Sequence, residues 1–302
     1  MIKNLAWRIL GSLMLLLVVP TVTFFLQAIA PVNIGRAVLG VSATAERVAE
    51  FNTRLGLDQP LIVRYWDWLT GALGGDLGVS YANLQPVQQI IGPRLGVSLS
   101  LIVGALLVFT IVGLVLGILS ATGGRVVGTV VDAVSTVGLA VPNFVLAVLL
   151  VALFAIQIPL FPATGSSSLV LPVVALAFAG ITAVAKQTRD QMMLAIASPY
   201  ARTLRANGAS ELSLIYKHAL RNAAGPVVTV LGIIFVGALS GSVVVENIFV
   251  LPGLGGQALQ SALQHDLPVI QGIAVYFTII VVIVNVLIDV ATTILNPKVR
   301  RA

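Results

Sequence analysis

Long apolar runs alternate with short polar stretches along all 302 residues. Lys3 and Arg8 precede the first run, Ile9 to Phe25. As a helix it is long enough to cross ~30 Å of hydrocarbon. Further runs lie at 97–119, 132–156, 169–181, 227–245 and 271–295. The pattern predicts six membrane-spanning helices. Ala28-Ile29-Ala30 mimics a signal-peptidase site, but the run is long for a signal core and Pro31 would follow the cut directly. The first span is therefore expected to stay uncleaved. Residues 30–93 form the longest polar segment. Val48, Phe51 and Leu55 recur there at helical spacing, as do Leu61, Tyr65, Trp68 and Leu69 after Pro60. Short amphipathic helices on the outer membrane surface are expected, with Trp66 and Trp68 at the interface. The chain thus divides into 1–29 (N-terminus and first span), 30–93 (extracytoplasmic segment) and 94–302 (a core with five spans).

Residues 198–226 interrupt the core with a polar, cationic island. Lys186, Arg189, Arg202, Arg205, Lys217 and Arg221 lie in it or just before it. Ser198 followed by Pro199 is a helix-start signal, since a hydroxyl caps free N–H groups and proline suits the first turn. Gly208 sits where a short helix would end in a left-handed residue. Ser210 and Glu211 can open a second helix with the acid near its positive end. The island reads as helix, glycine corner, helix.

Composition narrows the class. The chain is 58% hydrophobic and 9% charged, with mean hydropathy +1.05. A soluble domain carries about 25% charged residues. Long uncharged runs also exclude a β-barrel, whose strands alternate apolar and polar residues. The net charge of +6 is explained without nucleic acid, because helical membrane proteins concentrate Lys and Arg in cytoplasmic loops. With six spans and both termini in the cytoplasm, twelve of the seventeen Lys and Arg residues fall inside. There is no cysteine, hence no disulfide or thiolate metal site. His218 and His265 are isolated, so no metal is expected. No lysine precedes Ser or Thr, so a phosphate-binding loop is absent and the chain is not itself an ATPase. No Gly-x-Ser-x-Gly motif occurs, and no enzyme activity is expected.

Several groups within the spans have two readings. Gly113 and Gly117 have the spacing that lets helices approach closely. Pro142-Asn143 is either a packing kink or part of a substrate path. Glu246, near the end of the fifth span, is either a snorkelling or locally paired carboxylate or a gate. Asn285 and Asp289 share one helix face. Asp289 is either a structural anchor on the cytoplasmic side or part of an inner gate.

The island resembles the cytoplasmic loop of ABC-importer permeases of the dipeptide/oligopeptide subfamily. Tyr200, Arg202, Thr203, Arg205, Ala206 and Gly208 carry the likeness, followed by His218, Arg221, Asn222 and Pro226. Leu204 and Asn207 depart from the alanine and lysine usual in the family. Further likeness lies in Gly75 to Ser80, in Pro162 to Gly165, and in Glu246 to Gly255 with its E-x-I-F-x-x-P-G-L-G pattern. Ala30-Pro31-Val32-Asn33 replaces the family's acidic motif after the first span, and the tail departs at Asn296 and Lys298. The resemblance implies an all-α, type I importer permease with six spans and a cytoplasmic coupling helix, in a bacterial or archaeal plasma membrane. It implies a second homologous permease, two ATPase subunits that use ATP and Mg, and an extracytoplasmic substrate-binding protein. A secondary transporter or channel without an ATPase is the alternative, but the inverted repeat expected of a secondary transporter is not seen.

Overall fold

The computed structural model describes residues 2–29, 33–40 and 42–295, with side chains at 10–26, 33–40 and 42–295. The expectations for Ala30 to Val32, for the side chains of Lys3 and Arg8, and for the tail from Asn296 to Arg301 lie outside the described residues. Helix α1 spans Ile2–Ile29, with Leu10–Leu26 as its described apolar stretch. Helix α2 (Ile34–Leu39) opens on Asn33, whose Oδ1 accepts the Arg36 N–H at 3.0 Å. Helix α3 (Ala45–Arg54) opens on Thr44 in the same way, and α4 (Leu61–Leu73) follows Pro60. Val48 and Tyr65 are the buried side chains of α3 and α4, as their spacing predicts.

Helix α5 (Val87–Thr122) runs through Pro93. Then come α6 (Gly124–Ala140), α7 (Asn143–Val151), a π-helical turn Ala152–Gln157, and α8 (Val170–Ala197). The short α9 (Pro199–Ala206) precedes α10 (Glu211–Ser213). A π-helical segment, Leu214–Ala219, joins α10 to α11 (Leu220–Ile248). The chain closes with α12 (Leu254–Leu263) and α13 (Leu267–Leu295). Among the described residues the sole β feature is an isolated bridge between Val79 and Pro86.

Among the described residues four helices are long and apolar enough to cross a membrane: α5, α8, the continuous Glu211–Ile248 and α13. The six expected spans correspond to these four, to α1, and to the pair α6 and α7. That pair corrects the sequence reading. A single kinked span is expected over 132–156, whereas the axes of α6 and α7 meet at 99°. Proline has no N–H to donate and its ring disfavours helical backbone in the preceding residue. Val141 is accordingly extended (φ −83°, ψ 117°), so the helix ends there and restarts at Asn143. Helix α12 is also unforeseen, because Pro252-Gly253 reads as a stop and not as the cap of a new helix.

The chain forms two compact units. The first comprises residues 98–251 and 283–295 of those described and is built around α8. A Cβ at Gly104 would lie 2.9 Å from Val173, one at Gly113 2.6 Å from Val184, and one at Gly117 2.5 Å from Thr188. These pairs advance together, so α5 and α8 run in parallel at backbone contact. Gly138 meets Thr182 while Gly128 meets Arg189, so α6 runs antiparallel to α8. Ile234 lies by Gly180 and Gly241 by Leu176, which makes α11 antiparallel too. Arg189 of α8 also pairs with Asp132 of α6.

The second unit comprises residues 2–97 and 252–282. Its core joins Leu77, Val87, Ile90 and Ile91 to Leu254, Val269 and Ile273. The backbone of α13 touches α5 where a Cβ on Gly272 would lie 2.6 Å from Val87. A buried carboxylate ties the two parts of sequence together. Asp266 Oδ2 accepts from Ser80 Oγ at 2.5 Å, and its Oδ1 accepts from the Tyr81 N–H at 3.0 Å. Two rings from α1 close on Tyr65 of α4, Phe24 edge to face and Phe25 tilted.

The glycine contacts give a direct test. Gly117→Val should destabilise the folded chain by about 1–3 kcal/mol, because the Ala185 carbonyl oxygen, 2.7 Å from the new Cβ, cannot yield as a side chain can. Gly92→Ala, with nothing within 4 Å of the new carbon, should leave the melting temperature unchanged or slightly raised. Equal melting temperatures for the two variants in detergent would remove the close-approach role of Gly117.

Candidate functional site

Local chemistry builds the island of residues 198–226. Ser198 breaks α8 from α9: its Oγ donates to the Ala195 carbonyl at 2.7 Å and accepts the Ala201 N–H at 3.2 Å. Pro199 occupies the first turn, where its missing N–H costs nothing. Helix α9 ends in a complete Schellman arrangement. The Gly208 N–H donates to the Arg205 carbonyl and the Ala209 N–H to the Leu204 carbonyl, both at 3.0 Å. Gly208 has φ +80°, the left-handed conformation its position predicts. Ser210 then caps α10, accepting the Ser213 N–H at 3.3 Å.

A forked ion pair bridges this corner. Arg205 Nε donates to Glu211 Oε1 at 2.6 Å and Nη2 to Oε2 at 3.2 Å. These bonds hold the Glu211 carboxyl below its ordinary range and raise the guanidinium further. The pair's contribution is therefore present above the unfolded carboxylate value and lost as pH falls through the lowered one. Both side chains are exposed, so the pair serves chiefly to orient.

On the other side of α9, Tyr200 Oη lies 3.1 Å from His218 Nδ1, and the rings meet edge to face. The π-helical segment carries His218 and Lys217. Tyr200, Lys217, His218, Arg221 and Asn222 line one open hollow of about 740 Å³, together with Gln191, which the sequence reading did not single out. Ala201, by contrast, is fully buried and seats α9 on the fold. Arg202, Thr203, Ala206 and Gly208 remain exposed, as do the large apolar side chains of Tyr200, Leu212 and Tyr216. The structure therefore gathers the sequence-predicted loop residues into one capped, cationic surface.

The candidates within the spans are not gathered with them. Pro142 and Asn143 lie at the 99° bend, with the Asn143 amide over Gly241 of α11. Glu246 is fully buried and accepts from Ser98 Oγ at 2.7 Å, so it is locally paired and not snorkelling. It lies roughly 40 Å along the helix from His218, at 1.5 Å per residue. Asn285 and Asp289 are half-buried on α13, and the Asp289 carbonyl accepts from Thr292 and Thr293. The Arg205–Glu211 pairing was open to sequence inspection, since opposite charges flank a glycine corner. The Ser98–Glu246 bond was not, because 148 residues separate its partners.

Comparison with known proteins agrees with this geometry. Residues 113–301 match the family described as "Binding-protein-dependent transport system inner membrane component", and residues 1–102 match its N-terminal counterpart. A protein of Brucella abortus (strain 2308) that carries the name of a peptide transport system permease is 38% identical over 308 residues, covering 97% of each chain. The glutathione transport system permease protein GsiC of Salmonella choleraesuis (strain SC-B67) is 34% identical over 304 residues, covering 99% of each. Among solved structures, a chain of the MetNI methionine ABC transporter in inward facing conformations superposes with a TM-score of 0.53. It covers 68% of this chain and 97% of that one at 17% identity, a likeness of fold. The chain belongs to the binding-protein-dependent transport system inner membrane components, multi-pass permeases of ABC importers with the type I fold.

Proposed function

We propose that this chain is the permease subunit of an ATP-driven importer of short peptides, and that it moves its substrate by alternating access. Full-length likeness to relatives named for peptides and for glutathione, itself a tripeptide, supports the substrate class. The observation that carries the coupling role is the surface at α9. Its backbone is held by two serine caps and a Schellman turn, yet Tyr200, Arg202 and Arg205 project from it. A surface this well ordered, and left uncovered, suits a partner protein.

In this reading one of two ATPase subunits docks on α9, and the ATPase subunits hold ATP and Mg themselves. A second, homologous permease completes the path, and a substrate-binding protein delivers peptide from outside. Both termini and α9 face the cytoplasm, in keeping with the distribution of cations. ATP favours the closed ATPase pair. The permease responds because its two states contact that pair differently. Displacement of α9 passes through Ser198 into α8, and the packed glycine seams carry it to α5, α6 and α11. Asn143 at the bend, Glu246, Asn285 and Asp289 are the polar groups available to line or gate the path.

Three measurements test the coupling surface. Gly208→Val forces a branched residue into a left-handed conformation, at a cost of about 1–2 kcal/mol, and Arg205→Glu replaces the fork with a repulsion. Each should abolish peptide uptake while the protein remains in the membrane at the wild-type level. Uptake at the wild-type rate with equal expression would refute docking at α9. Tyr200→Ala should leave the melting temperature of the isolated permease within about 2 °C, as an exposed side chain would. The same variant should lose ATPase subunits on co-purification in mild detergent, and retention of both at wild-type amounts would exclude Tyr200 from the contact.

A further inference from the structure

The charged residues that line the open hollow beside α9, Lys217 and Arg221, are both cations, and no acid lines it. Six cations lie between residues 186 and 226 against two acids, Asp190 and Glu211. Both acids are engaged elsewhere. Asp190 pairs with Lys186 and Arg189, and Glu211 is held in the fork of Arg205. Asp132, brought in by α6, pairs with Arg189. Lys217 and Arg221 form no ion pair among the described residues. They are four residues apart, a spacing at which like charges repel along a helix. Lys217 also lies in the π-helical segment Leu214–Ala219, a rare form that recurs at functional sites. His218 of that segment meets Tyr200 Oη at 3.1 Å and so ties the irregular turn to α9. Membrane topology asks only that cations be present on this side. It does not ask that two of them share one hollow, on an irregular turn, apart from every acid.

Both cations are exposed, so the hollow is a surface for a protein and not an enclosed pocket for a small molecule. Tyr200 decides the occupant. It projects from α9 and also lines the hollow, so a protein seated on α9 covers the hollow as well. Covering two cations without an acid would strip their water and return nothing. A carboxylate in the same place would gain charge-assisted hydrogen bonds. We infer that the ATPase subunit docked on α9 places an acidic side chain in this hollow, between Lys217 and Arg221. The amides of Gln191 and Asn222, on the same lining, are further donors for it. Charges of this kind at an interface set encounter rate and register more than raw affinity. The inference rests on the docking reading of α9 and names the chemistry of that contact.

The test uses the importer as co-purified in mild detergent. It is treated with a water-soluble carbodiimide, which condenses a lysine amine with a carboxylate only where the two touch. Mass spectrometry should find Lys217 joined to an aspartate or glutamate of the ATPase subunit. Lys217→Arg should abolish that link while ATPase subunits stay at the wild-type amount, because the charge survives and the amine does not. Lys217→Gln combined with Arg221→Gln should melt no lower than the wild type, since a repulsion is removed. The same double variant should weaken ATPase association about tenfold at low salt, the loss of one charged hydrogen bond. That difference should vanish near about 1 M salt, where screening acts over ~3 Å. A structural role would instead lower melting temperature and association together. An intact complex in which Lys217 is linked to an acid of either permease, to a lipid headgroup or to nothing would overturn the inference and leave docking at α9 standing. Absence of ATPase subunits from the wild-type preparation would overturn the docking reading itself, and the inference with it.

Discussion

The close approach of α5 to α8 is the contact on which the larger unit depends. In lipid the hydrophobic effect between helices is lost, so association falls to close packing and to polar contacts between helices. Gly104, Gly113 and Gly117 remove side chains along one edge of α5, and Val173, Val184 and Thr188 of α8 fill the space. Helix α8 is then free to receive α6 and α11 on its other faces, where Gly138 and Gly241 repeat the device. The same helix ends at Ser198, directly against α9. One stiff, well-buried rod therefore connects the exposed corner to the packed spans.

The two units solve different problems. The larger one leaves broad apolar faces uncovered, including Val130, Val134 and Val137 of α6 and Ile233 of α11. Such faces need no polar cover where the solvent is hydrocarbon. The smaller one is organised by polar anchors as well as by packing. Asp266 uses both oxygens on Ser80 and Tyr81 and so closes a loop across 186 residues of sequence.

Much of this protein is written locally. Caps need neighbours only a few residues away, so Ser198, Gly208 and Ser210 could be assigned roles from the sequence, and each has the backbone and bonds its role requires. Apolar runs likewise locate helices, because a chain in lipid must satisfy its backbone groups within the helix. The small residues at 113 and 117 announced close packing for the same local reason. Where local signals fell short, the reason is physical. Proline at 142 guarantees a break but leaves the angle to whatever packs around it; here the angle is 99°, with Gly138 of α6 against α8 and Asn143 of α7 against α11. Gly253 could end a helix or begin one, and only the surroundings made it the start of α12.

The sequence by itself thus determined most of the helices, the caps of the island, the cationic corner and the membrane class, since each follows from short-range chemistry and composition. Tertiary structure alone decided which polar groups are partnered. Glu246 found Ser98 across 148 residues and Asp266 found Ser80 across 186, while Trp68 Nε1 and Asn52 Oδ1 were left buried without a hydrogen bond among the described residues. Partnering depends on which distant side chains the packed helices bring within hydrogen-bond reach, and no periodicity or spacing along the chain encodes that distance.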